Sequence, residues 1–286
     1  MTLPVFVDPS LASQQPCCGS EIVLTGAEAH HAVAVRRIVP SERIDLVDGR
    51  GLRVCVEVTA TAKNELRGNV CAVTLEPQPA VAITLVQALA KGGRDEQAIE
   101  TATEFGVQQV IPWEAKRCIV SWTQGAKAEK ARGKWAATVQ AAAKQARRAW
   151  IPSVAEKLSS AQLAKWIAAQ TDSDGIVFVC HEEGTVHLTE QLAEITAQTS
   201  AMKQNYPAKQ ELPKSISFIV GPEGGISAVE LADFTTAGAH IVLLGEHVLR
   251  AATAGPWAIA VTKAWLDLPE NRALAAKETE RTDGVG

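Results

Sequence analysis

Two glycine-marked stretches in the last third of the chain carry the residues best suited to ligand chemistry. The first reads Gly221-Pro222-Glu223-Gly224-Gly225 and follows an apolar, β-branched run. The second, residues 244–250, includes Gly245, His247 and Arg250 and follows another apolar run. Glycine permits positive φ and lets a backbone approach a ligand closely. We therefore expect a ligand to lie against these two loops.

The pattern around the two loops is typical of an α/β fold. Ile216–Val220 and Ile241–Leu244 have the composition of short buried strands. Ser227-Ala228-Val229-Glu230 fits a capping box and predicts the start of a helix. The loops lack both the glycine spacing of a dinucleotide site and the Gly-Lys-Ser/Thr of a P-loop. In open α/β sheets, ligands bind beyond the carboxyl ends of the strands, so we expect the site there.

Length and composition narrow the class of protein. The chain has 286 residues, which is enough for one large or two modest domains. Its net charge is −4, so it has no global basic field of the kind that small nucleic-acid-binding proteins often show. The longest apolar run, Val81–Ala90, is too short to span a bilayer, so we expect a cytoplasmic protein with no membrane partner. The six cysteines form no C-x-x-C pair. Reduced thiols are therefore favoured, and no metal site is expected.

The order of strand-like and helical runs predicts two domains and a tail. Residues 1–76 form a small β-rich domain, interrupted by a helical segment at Gly26–Val39. Pro77 and Pro79 end strand pairing, and β-α-β spacing follows, so a parallel sheet is expected within residues 80–268. The charged segment 269–286 is expected to be a disordered tail.

A basic helix is predicted from Ala126 to Trp150. It contains seven cations and one acid, Glu129, so positive charge is segregated within a chain that is negative overall. Such a run is most often a solvated helix face. Phosphate binding is the alternative, and we favour it for Lys144, Arg147 and Arg148, because clustered cations bind nucleic-acid backbone.

The glycine loops together resemble the cofactor loops of a known enzyme class. Gly-Pro-Glu-Gly-Gly followed by Leu-Gly-x-x-Val-Leu-Arg-x-x-Thr-Ala resembles the two loop motifs of SPOUT-class RNA methyltransferases. The resemblance is greatest to the bacterial family that methylates N3 of a uridine in 16S ribosomal RNA. Lys91-Gly92-Gly93-Arg94, Thr103–Val107 and Gln145–Pro152 resemble further segments of that family.

The resemblance implies a fold, a cofactor and partners. The fold would be a PUA-like β-barrel followed by a SPOUT domain with a parallel sheet and a trefoil knot. The cofactor would be S-adenosylmethionine, and the partners would be 16S rRNA or the small ribosomal subunit and a second copy of the chain. The implied cofactor-binding residues are Gly221, Pro222, Glu223, Gly224, Gly225, Leu244, Gly245, His247, Val248, Leu249 and Arg250. The expected RNA-binding residues are Arg36, Arg37, Lys91, Arg94, Lys144, Arg147 and Arg148.

Arg250 and Glu223 are the candidate catalytic residues. Uridine N3–H is a weak acid, so a cation beside O2 or O4 would stabilise the charge that forms when it is removed. Arg250 is placed to supply that cation. Glu223 is either a base or a brace for its loop, and the brace is favoured. The family's usual glutamate is Ala252 here, and an acid often found near 142–144 is absent, so a mechanism that needs those carboxylates is in doubt.

Two other functions remain open on the sequence. A SPOUT enzyme could instead methylate a ribose 2′-oxygen of tRNA or 23S rRNA, although the first domain and the Gln-x-x-Arg segment favour the 16S family. Alternatively, the protein could be a non-catalytic RNA-binding factor that has kept the SPOUT fold. The intact glycine loops argue against that reading, and Ala252 keeps it open.

Overall fold

The computed structural model describes residues 3–122, 125–201 and 212–275. Its chain contacts divide into two compact units. One comprises Met1–Gln78 with Gln140–Ile151, and the other comprises Pro79–Val139 with Pro152–Gly286. The C-terminal end of one long helix therefore belongs to the first unit, a division that the predicted limits at residues 76 and 80 did not include.

The first unit is built on a five-stranded sheet in the order β1-β3-β4-β5-β2. β1 runs parallel to β3, and the other pairings are antiparallel. Alternate strand residues such as Ile44, Leu46 and Val56 are fully buried, as expected of a sheet with one face on a core. The strands are β1 (Val5–Val7), β2 (Glu21–Thr25), β3 (Arg43–Val47), β4 (Leu52–Ala62) and β5 (Glu65–Leu75).

The helical segment expected at Gly26–Val39 is shorter in the structure. α1 spans Gly26–His30 and continues as one π-helical turn, His31–Val35. The chain then leaves the helix, and Arg37 has a φ of 56°. β1 was not predicted, because a three-residue strand carries too little pattern to separate it from a loop.

The second unit is a parallel sheet in the order β12-β10-β11-β6-β7-β8, with β9 also paired to β7. Its strands are β6 (Ala82–Ala88), β7 (Gln109–Glu114), β8 (Ser153–Val154), β9 (Leu158–Ser159), β10 (Gly175–Cys180), β11 (Ser215–Val220) and β12 (His240–Val242). Its helices are α2 (Arg94–Glu104), α3 (Ala126–Gln145, shared with the first unit), α4 (Ser160–Asp172), α5 (Leu188–Ala201), α6 (Ala228–Thr236) and α7 (Ala251–Leu266).

The parallel sheet of the second unit explains its apolar strand sequences. Ile216 to Val220 are all buried, and the rings of Phe178 and Phe218 stack with centroids 5.8 Å apart. Strands covered on both faces show such continuous apolar runs rather than alternation. The capping box predicted at Ser227 is confirmed, because both of its reciprocal hydrogen bonds form.

Two features of the second unit differ from the sequence predictions. α4 was not predicted, although Ser159 and Gln162 form a capping box at its start. Residues 269–275, expected to be disordered, are helical, with Asn271 and Leu274 buried. Residues 276–286 of the expected tail lie outside the described residues, as do residues 202–211. Within the described residues, no helix is long and apolar enough to cross a membrane.

The basic helix ends earlier than predicted. α3 stops at Gln145 rather than at Trp150. Trp150 instead forms a β-bridge with Gly49, and its indole N–H donates to the carbonyl of Glu76 at 2.9 Å. Arg147, with a φ of 57°, therefore lies beyond the helical surface on which it was expected.

Two helical glycines give a test of how α7 packs. A Cβ on Gly255 would lie 2.6 Å from Cδ1 of buried Leu85, whereas one on Gly133 in α3 would meet nothing within 4 Å. We expect Gly255→Ala to destabilise the protein by about 1–3 kcal/mol through overpacking. Gly133→Ala should stabilise it by roughly 0.5–1 kcal/mol, because alanine is the better helix former. Urea unfolding measures both, and the same sign for both variants would contradict the packing described here.

Candidate active site

The carboxyl ends of three neighbouring strands open into one cleft in the second unit. β10 ends at Cys180, β11 at Val220 and β12 at Val242. Two adjoining cavities, of about 210 and 380 Å³, lie beyond these ends. The two cavities share six of their lining residues and therefore form a single cleft. The shared residues are Cys180, His181, Glu182, Val248, Leu249 and Ala254.

Most of the predicted cofactor residues line this cleft. Leu244, Gly245 and His247 line the smaller cavity. The larger cavity is lined by Gly221, Pro222, Glu223, Gly225 and Arg250. Val248 and Leu249 border both cavities. Two loops separated by α6 and β12 are thus brought together where an α/β sheet places its ligands.

Gly224 is the one residue of the first loop that lines neither cavity. A Cβ there would lie 2.9 Å from the carbonyl oxygen of Arg117, in the loop after β7. The Arg117 guanidinium donates to the Gly224 carbonyl at 3.3 Å. Gly224 therefore lets the glycine loop pack on the neighbouring loop.

The other glycines serve different needs. Gly225 has a φ of 72°, which favours glycine, and a Cβ on Gly221 would lie 2.7 Å from Cγ1 of Ile226. A Cβ on Gly245 would meet nothing within 4 Å. The backbone of Gly245 is thus bare where it borders the smaller cavity, which leaves room for a ligand to approach it.

Glu223 is held by the turn that follows β6. Its carboxylate accepts from the Arg94 guanidinium at 2.7 Å and from the Lys91 amide at 3.2 Å. Burial acts to raise the pKa of Glu223, but hydrogen bonds from its own amide, Arg94 and Lys91 outweigh it and lower the pKa below its ordinary value. A carboxylate with a lowered pKa is a weak base, so the geometry favours the bracing role.

A second carboxylate, Glu230, connects the loops around the cleft. One of its oxygens accepts from the Lys116 amide at 2.8 Å and the Ser160 hydroxyl at 2.6 Å. The other accepts from the amide and hydroxyl of Ser227 at 3.0 and 2.6 Å. The residue is 0 % exposed. Burial would raise the pKa of Glu230, but these four hydrogen bonds lower it.

Arg250 borders the larger cavity with an exposed side chain that has no hydrogen-bond or ion-pair partner among the described residues. Its carbonyl accepts from Thr253 and Ala254 at the start of α7, which fixes the backbone. Ala252 is 6 % exposed, so the position of the family's usual glutamate adds no charge to the cleft.

The segment Cys180-His181-Glu182 lines the cleft but was not predicted as part of the site. The signal that could have found it is its place directly after the apolar run Ile176–Cys180, which forms most of β10. Burial raises the pKa of the Cys180 thiol to about 12, so the thiol stays protonated and is not a nucleophile. The His181 amide donates to the Val242 carbonyl at 3.1 Å, which ties this segment to β12.

The structure separates the predicted RNA-binding cations by their partners. Arg36, Arg37, Lys91 and Arg147 are exposed. Arg94 is paired with Glu223, and Lys144 is paired with Glu28 at 2.7 Å. Burial lowers the pKa of Arg148 to about 10. Among the described residues, no group of three or more His, Cys, Asp or Glu side chains could hold a metal ion.

Comparison with known proteins identifies the class and then the family. An RNA methyltransferase domain model matches residues 76–263, and an RNA methyltransferase PUA domain model matches residues 24–71. The chain is 38 % identical to ribosomal RNA small subunit methyltransferase E of Mycobacterium bovis, over 85 % of this chain and 86 % of that protein. The protein of the same name from Bacillus subtilis is 29 % identical, over 82 % and 87 %.

The chain is therefore an RNA methyltransferase by class, and it belongs to the ribosomal RNA small subunit methyltransferase E family. Solved structures agree in fold. The Neisseria gonorrhoeae member bound to S-adenosylmethionine superposes with a TM-score of 0.72, at 24 % identity, over 92 % of this chain and 98 % of that one. A putative methyltransferase from Legionella pneumophila with bound cofactor gives 0.71, at 21 % identity and the same coverage. The predicted fold class, a SPOUT domain after a small PUA-like domain, is confirmed.

The buried charge of Glu230 predicts a pH-dependent contribution to stability. The folded pKa is lowered, so this contribution is present above the unfolded pKa of about 4.5 and is lost as pH falls through the folded pKa. Glu230→Gln replaces one acceptor oxygen with an NH2 group that faces other hydrogen-bond donors. We expect this change to lower the free energy of unfolding by about 2–3 kcal/mol at pH 7. The difference in free energy of unfolding between the variant and the wild type should become smaller below pH 4.

The matched control is Glu100→Gln, on an exposed face of α2. It should change stability by less than about 0.5 kcal/mol at either pH. Urea unfolding at pH 7 and pH 3 measures both variants. A pH-independent deficit for Glu230→Gln would show that the carboxylate charge is not what holds the loops.

Proposed function

We propose that this protein transfers a methyl group from S-adenosylmethionine to N3 of a uridine in 16S ribosomal RNA. The observation that carries the proposal is the cleft itself, where two glycine loops and an unpaired arginine converge at the carboxyl ends of parallel strands. Membership of the family supports ribosomal RNA as the substrate.

The cleft suits S-adenosylmethionine in three respects. Bare backbone at Gly245, between the apolar side chains of Leu244 and Val248, offers the amide and carbonyl edges and the walls that adenine needs. The first glycine loop leaves room for the ribose and the methionine portion. The carboxylates of Glu182 and Glu223 at the same cleft are compatible with a positive sulfonium. When bound, the cofactor supplies an electrophilic methyl group.

The protein's own groups then have distinct tasks. Arg94 and Arg250 both line the larger cavity, but Arg94 is paired with Glu223. Arg250 is therefore the cation free to stabilise negative charge on O2 or O4 of the uracil as N3 releases its proton to solvent water and takes the methyl group. Glu223 stays ionised and orients Arg94, so it acts as a positioning residue.

A second copy of the chain is proposed as the partner that completes the site. Val248 borders the cleft and is 77 % exposed, and Ile119 and Val229 of the same unit are 71 % and 57 % exposed. Large apolar side chains left in water are typical of surfaces that another protein covers. The proposed homodimer would cover Val248 and close the cleft beside it.

Cofactor binding tests the proposed pocket directly. Gly245→Val would place a branched side chain where the backbone is bare, and should weaken S-adenosylmethionine binding at least tenfold, equivalent to about 1.4 kcal/mol. Gly133→Val, in open space on α3, is the control and should leave affinity unchanged. Isothermal titration calorimetry measures both, after circular dichroism has shown that both variants fold. Equal affinities would remove the second loop from the site.

The methylated atom and the role of Arg250 are tested together. Wild type should produce 3-methyluridine in 16S rRNA, read by mass spectrometry of digested nucleosides. Arg250→Ala should lower kcat by roughly 100-fold or more with cofactor affinity unchanged, whereas Arg272→Ala, exposed on the 269–275 helix, should not. Methyl groups on ribose would contradict the N3 assignment. Cofactor binding with no transfer to any RNA would favour the non-catalytic alternative that Ala252 left open.

A further inference from the structure

A cavity of about 320 Å³ lies within the first unit, apart from the cofactor cleft. It is bordered by the π-helical turn after α1, by β1 and by the end of α3 with the residues that follow it. The polar and aromatic side chains around it are Phe6, His31, Arg36, Lys144, Gln145 and Arg147. None of these residues lines the cofactor cleft.

The cavity carries unneutralised positive charge. Both Glu28 oxygens lie 2.7 Å from the Lys144 ammonium, and Glu28 also accepts from the Val7 amide at 3.2 Å, so the lysine charge is balanced. The guanidinium groups of Arg36 and Arg147 are exposed and have no carboxylate partner in the described part of the chain. Two net positive charges therefore border one concave surface, which favours an anion.

Arg147 is held at the cavity by a strained backbone. Its φ of 57° lies in the left-handed region, which is unfavourable for a residue with a β-carbon. Its carbonyl accepts from the Arg53 guanidinium at 2.8 Å, and Arg53 is itself anchored by Asp45 at 2.9 Å and Glu76 at 2.6 Å. Strain maintained by a network of ion pairs is typical of a functional position.

The remaining wall suits a nucleobase. His31 packs edge-on against the buried ring of Phe6, with ring centroids 6.0 Å apart, so its own ring is fixed at the cavity. Gln145 is exposed beside it and carries both a donor and an acceptor. RNA-binding proteins recognise unpaired bases by stacking on rings and by hydrogen bonds to base edges.

We propose that this cavity binds one unpaired nucleotide of the RNA substrate. The phosphate lies between Arg36 and Arg147, and the base lies against His31 and Gln145. The volume is at the lower end of the range of small-ligand sites and exceeds what a phosphate ion alone would fill. The proposal rests on the proposed function in that the ligand is RNA, and it adds a second recognition point in a different unit from the cleft.

The test compares two pairs of arginine and lysine substitutions. Arg36→Gln with Arg147→Gln removes the two cavity cations that have no carboxylate partner among the described residues and leaves Lys144 in place. The matched control, Arg50→Gln with Lys63→Gln, removes two exposed cations of the same unit that do not border the cavity. The probe is a ten-nucleotide single-stranded RNA, with a duplex of the same sequence for comparison.

We expect the cavity pair to weaken single-strand binding at least tenfold, and the control pair less than twofold. The log–log salt slope should fall by about 1.4 for the cavity pair, roughly 0.7 for each lost phosphate contact. Uridine monophosphate should compete with the probe more strongly than inorganic phosphate does. The duplex should bind wild type more weakly than the single strand.

Equal losses for the two pairs would overturn the proposal in favour of a general basic surface. Equal competition by inorganic phosphate and uridine monophosphate would reduce it to an anion site, and duplex binding as tight as single-strand binding would exclude an unpaired nucleotide. Calorimetry with S-adenosylmethionine tests the proposed function separately from the cavity. The double variant at Arg36 and Arg147 should bind the cofactor as tightly as the wild type does. If the wild-type protein showed no methyl transfer, the proposed function would fail, but the comparison of RNA affinities would still test the cavity.

Discussion

The buried carboxylate of Glu230 is the interaction on which the cleft depends. It is 0 % exposed and accepts four hydrogen bonds, from Lys116 in the loop after β7, from Ser160 in α4 and from Ser227 before α6. A buried charge is tolerated only where donors replace water around it, so these three segments must stay together. Gly224 packs on the backbone of Arg117, one residue beyond Lys116, so the same carboxylate also holds the loop against which the glycine loop packs.

The positively charged side chains fall into two groups, those paired with carboxylates and those left to bind a ligand. Arg53, Arg94 and Lys144 are each paired with carboxylates, and they hold backbone in place. Arg36, Arg147 and Arg250 have no carboxylate partner among the described residues. A chain with a net charge of −4 cannot rely on a global field to attract RNA, so unpaired cations must supply the attraction locally.

Sequence reasoning succeeded where the signal was local. The parallel strands, the capping box at Ser227 and the convergence of two glycine loops all follow from short patterns. It failed where distant residues pair: Trp150, expected in the basic helix, forms a β-bridge with Gly49, and Lys144 is neutralised by Glu28, 116 residues away. No periodicity encodes such pairings, and the SPOUT fold itself came from resemblance rather than from pattern.

The central claim is that the methyl donor binds where the loops after β10, β11 and β12 meet. Hydrogen–deuterium exchange with and without S-adenosylmethionine tests it most directly, because backbone amides that a ligand covers exchange more slowly. Peptides covering residues 180–188, 220–226 and 243–250 should all gain protection together, while those covering 31–36 and 144–147 should not change. Protection confined to the first unit, or to only one of the three loops, would contradict the claim.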